Sequence, residues 1–203
     1  MTFRMSELKN LHVLTLYVVR HGECEHNVEG RIAAQNDSPL TPRGREQARA
    51  NGRLLKEIAG DLSALDFHAS SLHRTCATME LLREAAGLAP TGYRAERRLM
   101  EIDLGDYTWF KWSDLPETER ARYRDDPWHH RYPGGESQAE VHARVGQFLA
   151  TLARSAVIVT HAMPTRMIRS HYLGLSPEET VRYEHPHAGI LRLGAGAETW
   201  FGE

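Results

Sequence analysis

The sequence predicts an α/β fold, a three-layer sandwich with a mainly parallel central sheet and helices on both faces. Three observations carry this expectation. Short apolar, β-branched runs alternate along the chain with helical segments. Two of those runs, residues 13–19 and 156–160, are almost continuously apolar, as strands covered on both faces must be. Between them, helix starts and stops are marked by capping residues.

In chain order, the first strand covers residues 13–19 and runs straight into Arg20-His21-Gly22-Glu23. After a polar loop, Thr41 and Pro42 make an N-cap and first helical residue, and the helix they open passes through Ala48, Leu55 and Ile58 to stop at Gly60. A second strand over 65–70 leads into a helix from about Leu72 that ends at Gly87. Residues 91–135 are the least regular part and carry Trp109, Trp112 and Trp128, so they are expected to pass over the strand ends as a lid-like excursion. Ser137 and Glu140 then form a capping box before a helix with Val141, Val145, Phe148 and Leu152 on one side. The third strand, 156–160, delivers His161; a short helix follows to Gly174, and Ser176-Pro177-Glu178-Glu179 opens another. Residues 189–201 add an edge strand or two.

Composition narrows the function classes. A chain of 203 residues, 41% hydrophobic and 26% charged, is expected to form one domain with a real core. Its net charge of −2 offers no basic field for nucleic acid or acidic membranes. The longest apolar stretch, 11–19, is too short to span a bilayer and lacks a cleavage site, so a cytoplasmic location is expected. Cys24 and Cys76 build no disulfide framework and read as free thiols.

The informative residues lie at strand exits, where ligands bind in open α/β sheets. Arg20 and His21 follow the first strand, Arg74 the second, and His161 the third. If those strands are neighbours, two Arg and two His converge, and their repulsion and desolvation call for an anion. Two guanidinium forks suit a phosphoryl group. Neither a Walker loop nor a dinucleotide fingerprint is present, and no carboxylate cluster implies a catalytic metal. His129-His130 and His185-Pro186-His187 are taken as exposed loop residues. Phosphate held without a metal points to a histidine nucleophile, and no cofactor is expected. A general acid must protonate the leaving group. Glu101, a lone carboxylate in an apolar stretch, is the candidate, since burial beside a phosphate favours its protonated form. Glu23 is the rival, with a loop-holding role as its other reading.

These residues resemble the histidine phosphatase superfamily, whose fold is called phosphoglycerate mutase-like. Arg20-His21-Gly22-Glu23 matches its signature, and Asn27 falls where that family has a phosphate-contacting Asn. The run from Asp37 to Gly44 matches its helix-opening D-S-P-L-T-x-x-G. Ser70 to Thr75 resembles the segment of its second Arg, and Glu101 with Gly105-Asp106 its proton-donor loop. Thr160-His161 resembles the second His, and Pro133-Gly134-Gly135-Glu136-Ser137 also matches. The resemblance implies His21 as the phosphorylated nucleophile and Glu101 as the proton donor. Arg20, Arg74, His161 and Asn27 would hold the phosphoryl oxygens, with the backbone N–H of Ala162 kept beside them.

Three departures bear on substrate. Cys24 replaces the usual Thr or Ser, Ala33-Ala34 stands for a common Gln-Gly pair, and Ala162 replaces Gly. The mutase branch reads E-R-H-Y-G where this chain reads Glu101-Ile102-Asp103-Leu104-Gly105, and Asp103 would oppose a second anion. The expected activity is therefore metal-independent hydrolysis of a small phosphomonoester (sugar, nucleotide-like or other). Phosphoglycerate mutase activity and a silent phospho-ligand binder are the alternatives. Cys24 and Cys76 are both placed near the pocket rim by their spacing from His21 and Arg74. The tryptophans of the excursion read either as a wall for an apolar or ring-bearing leaving group or as packing.

Overall fold

A computed structural model of the chain describes residues 8, 11–183 and 188–202. Its sheet comprises β1 (Leu16–Arg20), β2 (Asp66–Ser70), β3 (Arg94–Glu96), β4 (Ala156–Thr160), β5 (Ile190–Gly194) and β6 (Ala197–Phe201). The strand order is β3-β2-β4-β1-β5-β6. The first four run parallel, and only β5 opposes its neighbours β1 and β6. β4 therefore lies between β1 and β2. Arg20 pairs with Thr160, and Ala69 pairs with Val159. The three strand exits are neighbours, as convergence of their cationic residues requires.

Alternation along the buried strands divides the core into two layers. Leu16 and Val18 with Ala156 and Ile158 face α5 (Gln138–Leu149) and α6 (Ala162–Leu173). Tyr17 and Val19 with Val157 and Val159 face α2 (Pro42–Ala59) and α3 (His73–Ala85). The expected caps form: Thr41 Oγ1 accepts from Gly44 N at 3.0 Å, and Ser137 and Glu140 close a reciprocal box. No helix among the described residues is long and apolar enough to cross a membrane.

One boundary changes, and three local features go beyond the sequence reading. The first strand starts at Leu16 rather than residue 13, because its partner β4 begins only at Ala156; Leu11–Val13 forms a 3-10 turn instead. A short helix, α1 (Glu25–Glu29), follows the His21 loop, with Cys24 and Asn27 as its capping pair. Residues 91–135 contain β3, three 3-10 turns and α4 (Glu117–Asp125). Finally, α3 has no side-chain cap of its own; Asp37, from a remote loop, accepts from His73 N at 2.9 Å and Arg74 N at 3.2 Å.

Two backbone contacts place the loops over the sheet. A Cβ on Gly22 would sit 2.2 Å from the carbonyl oxygen of Gly44, and one on Gly44 would sit 2.0 Å from that of Glu23. The His21 loop is thus pressed onto the first turn of α2 at a separation only glycine permits. Likewise, Gly105 at φ +51° lies against Pro133, where a Cβ would fall 2.0 Å from the Pro133 oxygen. Asp106 N donates to Pro133 O at 3.0 Å and Glu136 N to Asp103 O at 2.8 Å, which seats the Glu101 loop on the approach to α5.

Candidate active site

His21 leaves β1 with its backbone N–H on Thr160 O at 2.9 Å, and its ring is almost fully covered. The ring Nδ1 lies 2.8 Å from the carbonyl oxygen of Gly22. A carbonyl only accepts, so Nδ1 carries a proton, and in the neutral ring Nε2 carries the lone pair. His161, the N-cap of α6, packs edge-on to His21 with ring centroids 5.1 Å apart. Its Nε2 lies 2.8 Å from Ser70 Oγ, which also accepts from Leu72 N at 3.4 Å. Burial, reinforced by Arg74, His21 and Arg20, holds His161 well below the usual imidazole range. It is therefore neutral, and its Nδ1 has no hydrogen-bond partner.

Arg74 is the largest fully buried side chain. One part of its guanidinium is held by Asn36 O at 2.6 Å and Ala34 O at 2.8 Å, with Asp37 3.7 Å away. Its Nε has no partner. Burial pushes Arg74 and Arg20 down from the ordinary guanidinium range, and Glu101 opposes that shift in both. Both remain charged, as Arg does in proteins. The N-terminus of α6 opens at Ala162 beside them, adding the positive end of a helix dipole.

Glu101 faces this group from the excursion. Its Oε1 accepts from Ile102 N at 2.9 Å and Met163 N at 3.2 Å, so two backbone amides aim the carboxyl. Its main chain is held as well: Glu101 O accepts from Arg144 Nη2 at 3.0 Å and Gln35 Nε2 at 3.1 Å. Arg144 in turn grips Glu136 through two bonds of 2.9 and 3.0 Å and donates to Arg98 O at 2.7 Å. Glu23 is turned elsewhere. It accepts from Thr41 Oγ1 at 2.8 Å and lies 3.6 Å from Arg43, which is the loop-holding role.

A cleft of about 210 Å³ is lined by Arg20, His21, Asn27, Arg74, Glu101 and Ala162. Of the residues expected to bind the phosphoryl group or transfer its proton, His161 does not line it; its ring packs edge-on against His21. Asn27 turns its Oδ1 to Cys24, accepting from the backbone N and from Sγ at 3.0 Å each. Ala34 stands at φ +46°, a left-handed conformation in which glycine would be unstrained. Two charged cleft residues escaped sequence reading, Arg31 and Arg166. Arg166 follows Ala162 by one helical turn, a spacing that could have found it. Arg144 left no comparable signal.

Three expectations are corrected. His130 is not an exposed loop residue: its side chain is 7% exposed and lies 3.4 Å from the equally buried Glu119, because α4 folds back over it. His129 is exposed beside Asp126, and His185-Pro186-His187 lies outside the described residues. Cys24 does line the cleft, but Cys76 faces Ser70 O at 3.5 Å, away from it. Asp103 does not line the cleft either; its Oδ1 accepts from Gly105 N at 2.9 Å.

Comparison with known proteins decides the family. Residues 16–202 match the model of the histidine phosphatase superfamily, branch 1. The chain belongs to that superfamily. Similar proteins include "Probable phosphoglycerate mutase GpmB" of Salmonella choleraesuis, 33% identical over 93% of this chain and 88% of that protein. Human "6-phosphofructo-2-kinase/fructose-2,6-bisphosphatase 3" is 32% identical over 92% of this chain, which spans 35% of that protein's length. Among solved structures, TTHB049 of Thermus thermophilus superposes with a TM-score of 0.68 at 30% identity, covering 88% of this chain and 92% of that one. Histidine phosphatases act on small phosphorylated substrates through phosphatase or mutase-like chemistry.

Proposed function

We propose that this histidine phosphatase hydrolyses a phosphomonoester through a phosphohistidine on Nε2 of His21. The observation that carries the reading is the bond from His21 Nδ1 to Gly22 O, which leaves the lone pair on the nitrogen of a ring that lines the cationic cleft. Arg20, Arg74, Asn27 and the Ala162 amide bind the phosphoryl oxygens, and His161 packs edge-on against the His21 ring and keeps it in place. As Nε2 bonds to phosphorus, the ester P–O bond breaks and Glu101 gives its proton to the departing oxygen. Water then attacks phosphorus, Glu101 takes a proton back, and the N–P bond breaks to release inorganic phosphate. The charge that develops is met by guanidinium groups and a helix terminus already in place, so the step needs no metal. On this reading the whole chain acts as one domain, with residues 91–135 as the lid over the leaving group.

Mutase activity is the second reading, favoured by the relative named for it and by Arg31 and Arg166, which give the cleft two further cations. Phosphorus NMR in excess EDTA separates the two. The panel holds several phosphomonoesters and 3-phosphoglycerate with its bisphosphate primer, beside a His21→Ala control. Inorganic phosphate formed only by the unsubstituted protein is the expected result. Conversion of 3- to 2-phosphoglycerate without phosphate release would make the protein a mutase, and absence of any turnover would leave a phospho-ligand binder.

A further inference from the structure

Beside the phosphoryl cleft lies a second cavity of about 180 Å³ beneath the excursion. Ile32, Ile102, Leu104 and Met163 line both spaces, so the two share a wall. Beyond that wall the lining is largely aromatic: Trp112, Tyr123 and Tyr132. Tyr123 stands edge-on to Trp112 at 5.1 Å and stacks with Tyr132 at 6.4 Å, so these rings brace one another. Besides the tyrosine hydroxyls, two polar side chains are set among them: His130, whose Nε2 lies 3.4 Å from Glu119 Oε2, and Gln138. Gln138, 1% exposed, donates from Nε2 to Tyr123 OH at 3.2 Å, while its Oε1 is buried with no partner.

The position of Glu101 says what this cavity faces. An acid that protonates the leaving oxygen must sit beside it, and the amides that aim the Glu101 carboxyl belong to Ile102 and Met163. Those are two of the four residues of the shared wall. The leaving oxygen is thus delivered to the border of the apolar cavity, and whatever carbon skeleton it carries continues into it. Size selects among skeletons. A dry apolar cavity of about 150 Å³ holds one benzene ring, and this one is slightly larger. A buried acceptor left unpaired costs free energy that a ligand donor would recover.

We propose that the second cavity is the leaving-group subsite, and that the substrate is the phosphomonoester of an apolar ring bearing one hydrogen-bond donor for Gln138 Oε1. This rests on the hydrolase reading for the placement of the leaving oxygen. The roles of the three tryptophans then separate. Trp112 lines the subsite, Trp109 packs on His26 with ring centroids 4.1 Å apart, and Trp128 stands edge-on to His142 at 5.2 Å.

Binding of phosphonates, which cannot be hydrolysed, tests the subsite apart from turnover. Titration calorimetry would compare 2-phenylethylphosphonate with propylphosphonate, which share an anion and differ in the ring. The expected result is binding of the ring compound tighter by about 10²-fold, with a further gain of roughly three- to tenfold for its 3-hydroxyphenyl analogue. Gln138→Leu should abolish the hydroxyl's gain while keeping the ring's, and Leu104→Phe, which fills the cavity, should bring the ring ratio near one. Equal affinities for the two parent phosphonates in the unsubstituted protein would overturn the proposal, whether or not either variant folds. A ring preference that survives in folded Leu104→Phe would overturn it too, by placing the ring elsewhere. Hydrolysis of benzyl phosphate, followed separately, reports on the parent reading: ring selectivity without phosphate release would count against the hydrolase and leave the cavity as a ring-binding site of a phospho-ligand binder.

Discussion

Replacing Arg144 by Met should impair the chemistry of Glu101, a residue it holds by the main chain and not by the carboxyl. Arg144 makes four bonds, to Arg98 O, Glu101 O and both oxygens of Glu136, all between 2.7 and 3.0 Å. Its side chain is 16% exposed, so solvent screens it only in part. Met preserves the stem and removes every one of these bonds, leaving Glu136 with the Asp103 and Gln35 contacts alone. Bonds to charged groups contribute about 1.5–3 kcal/mol each when removed singly, but those sharing one side chain do not add. A total loss of about 2–3 kcal/mol follows, or a fall in Tm of roughly 5–10 °C. The effect on rate comes through Glu101, whose main chain loses one of its two side-chain anchors. A displacement of the acid of about 1 Å lowers the rate by ~10²-fold. Steady-state kinetics with two esters isolates that effect. Ethyl phosphate needs a proton on its leaving oxygen, whereas 4-nitrophenyl phosphate releases a stable anion. The variant should lose about 10²-fold in kcat/KM on the first and less than about threefold on the second. Equal losses on both esters would refute the reasoning, since they would mean that Arg144 supports the phosphoryl site and not the acid.

Other substitutions probe separate parts of the molecule. Glu101→Gln keeps an oxygen for the Ile102 and Met163 amides but has no proton to give. Ethyl phosphate turnover should fall by about 10²–10⁴-fold with 4-nitrophenyl phosphate little affected, and a uniform loss would remove Glu101 as the acid. At Ala34, φ +46° strains any residue with a Cβ. Ala34→Gly should gain about 0.5–1 kcal/mol, seen as a Tm raised by a few degrees; a lowered Tm would show the position to be unstrained. The stacked pair His142 and His171, 3.7 Å between centroids, makes stability depend on pH. Burial, and then the charge of His171, lower His142 to about 4, and burial lowers His171. An unfolded imidazole titrates near pH ~6.5, so between there and about pH 4 the unfolded chain binds protons that the folded chain refuses. Stability from this pair is whole above pH ~6.5 and declines as the pH falls towards 4. Tm measured across that window should fall, and less steeply in His142→Leu; identical slopes would absolve the pair.

How far the sequence could be read depended on how local each cause was. Alternation, caps and strand exits are written in neighbouring residues. The α/β order, the Thr41 and Ser137 caps, and the places of Arg20, His21, Arg74 and His161 were therefore legible in the amino-acid order itself. So was Glu101, a carboxylate with nothing polar of its own kind beside it except Asp103. The sequence shows Gly22 directly after His21, but that it presses on Gly44 is seen only in the structure. Tertiary structure alone decided what depends on elements remote in the chain. The Arg144 grip on the Glu101 backbone spans 43 residues, and the Asp37 cap on α3 spans 36. His130 was misjudged because its burial depends on α4 folding over it, and α4 is too polar to declare a buried face. β3 is three residues long and gains its place only from pairing with β2. The same holds for the aromatic cavity. Trp112, Tyr123, Tyr132 and Gln138 carry no common period, and only folding of the excursion over the sheet brings them around one space next to the acid. Local rules set which cationic groups stand at the strand ends, while packing over long sequence distances sets the shape of the space beside them.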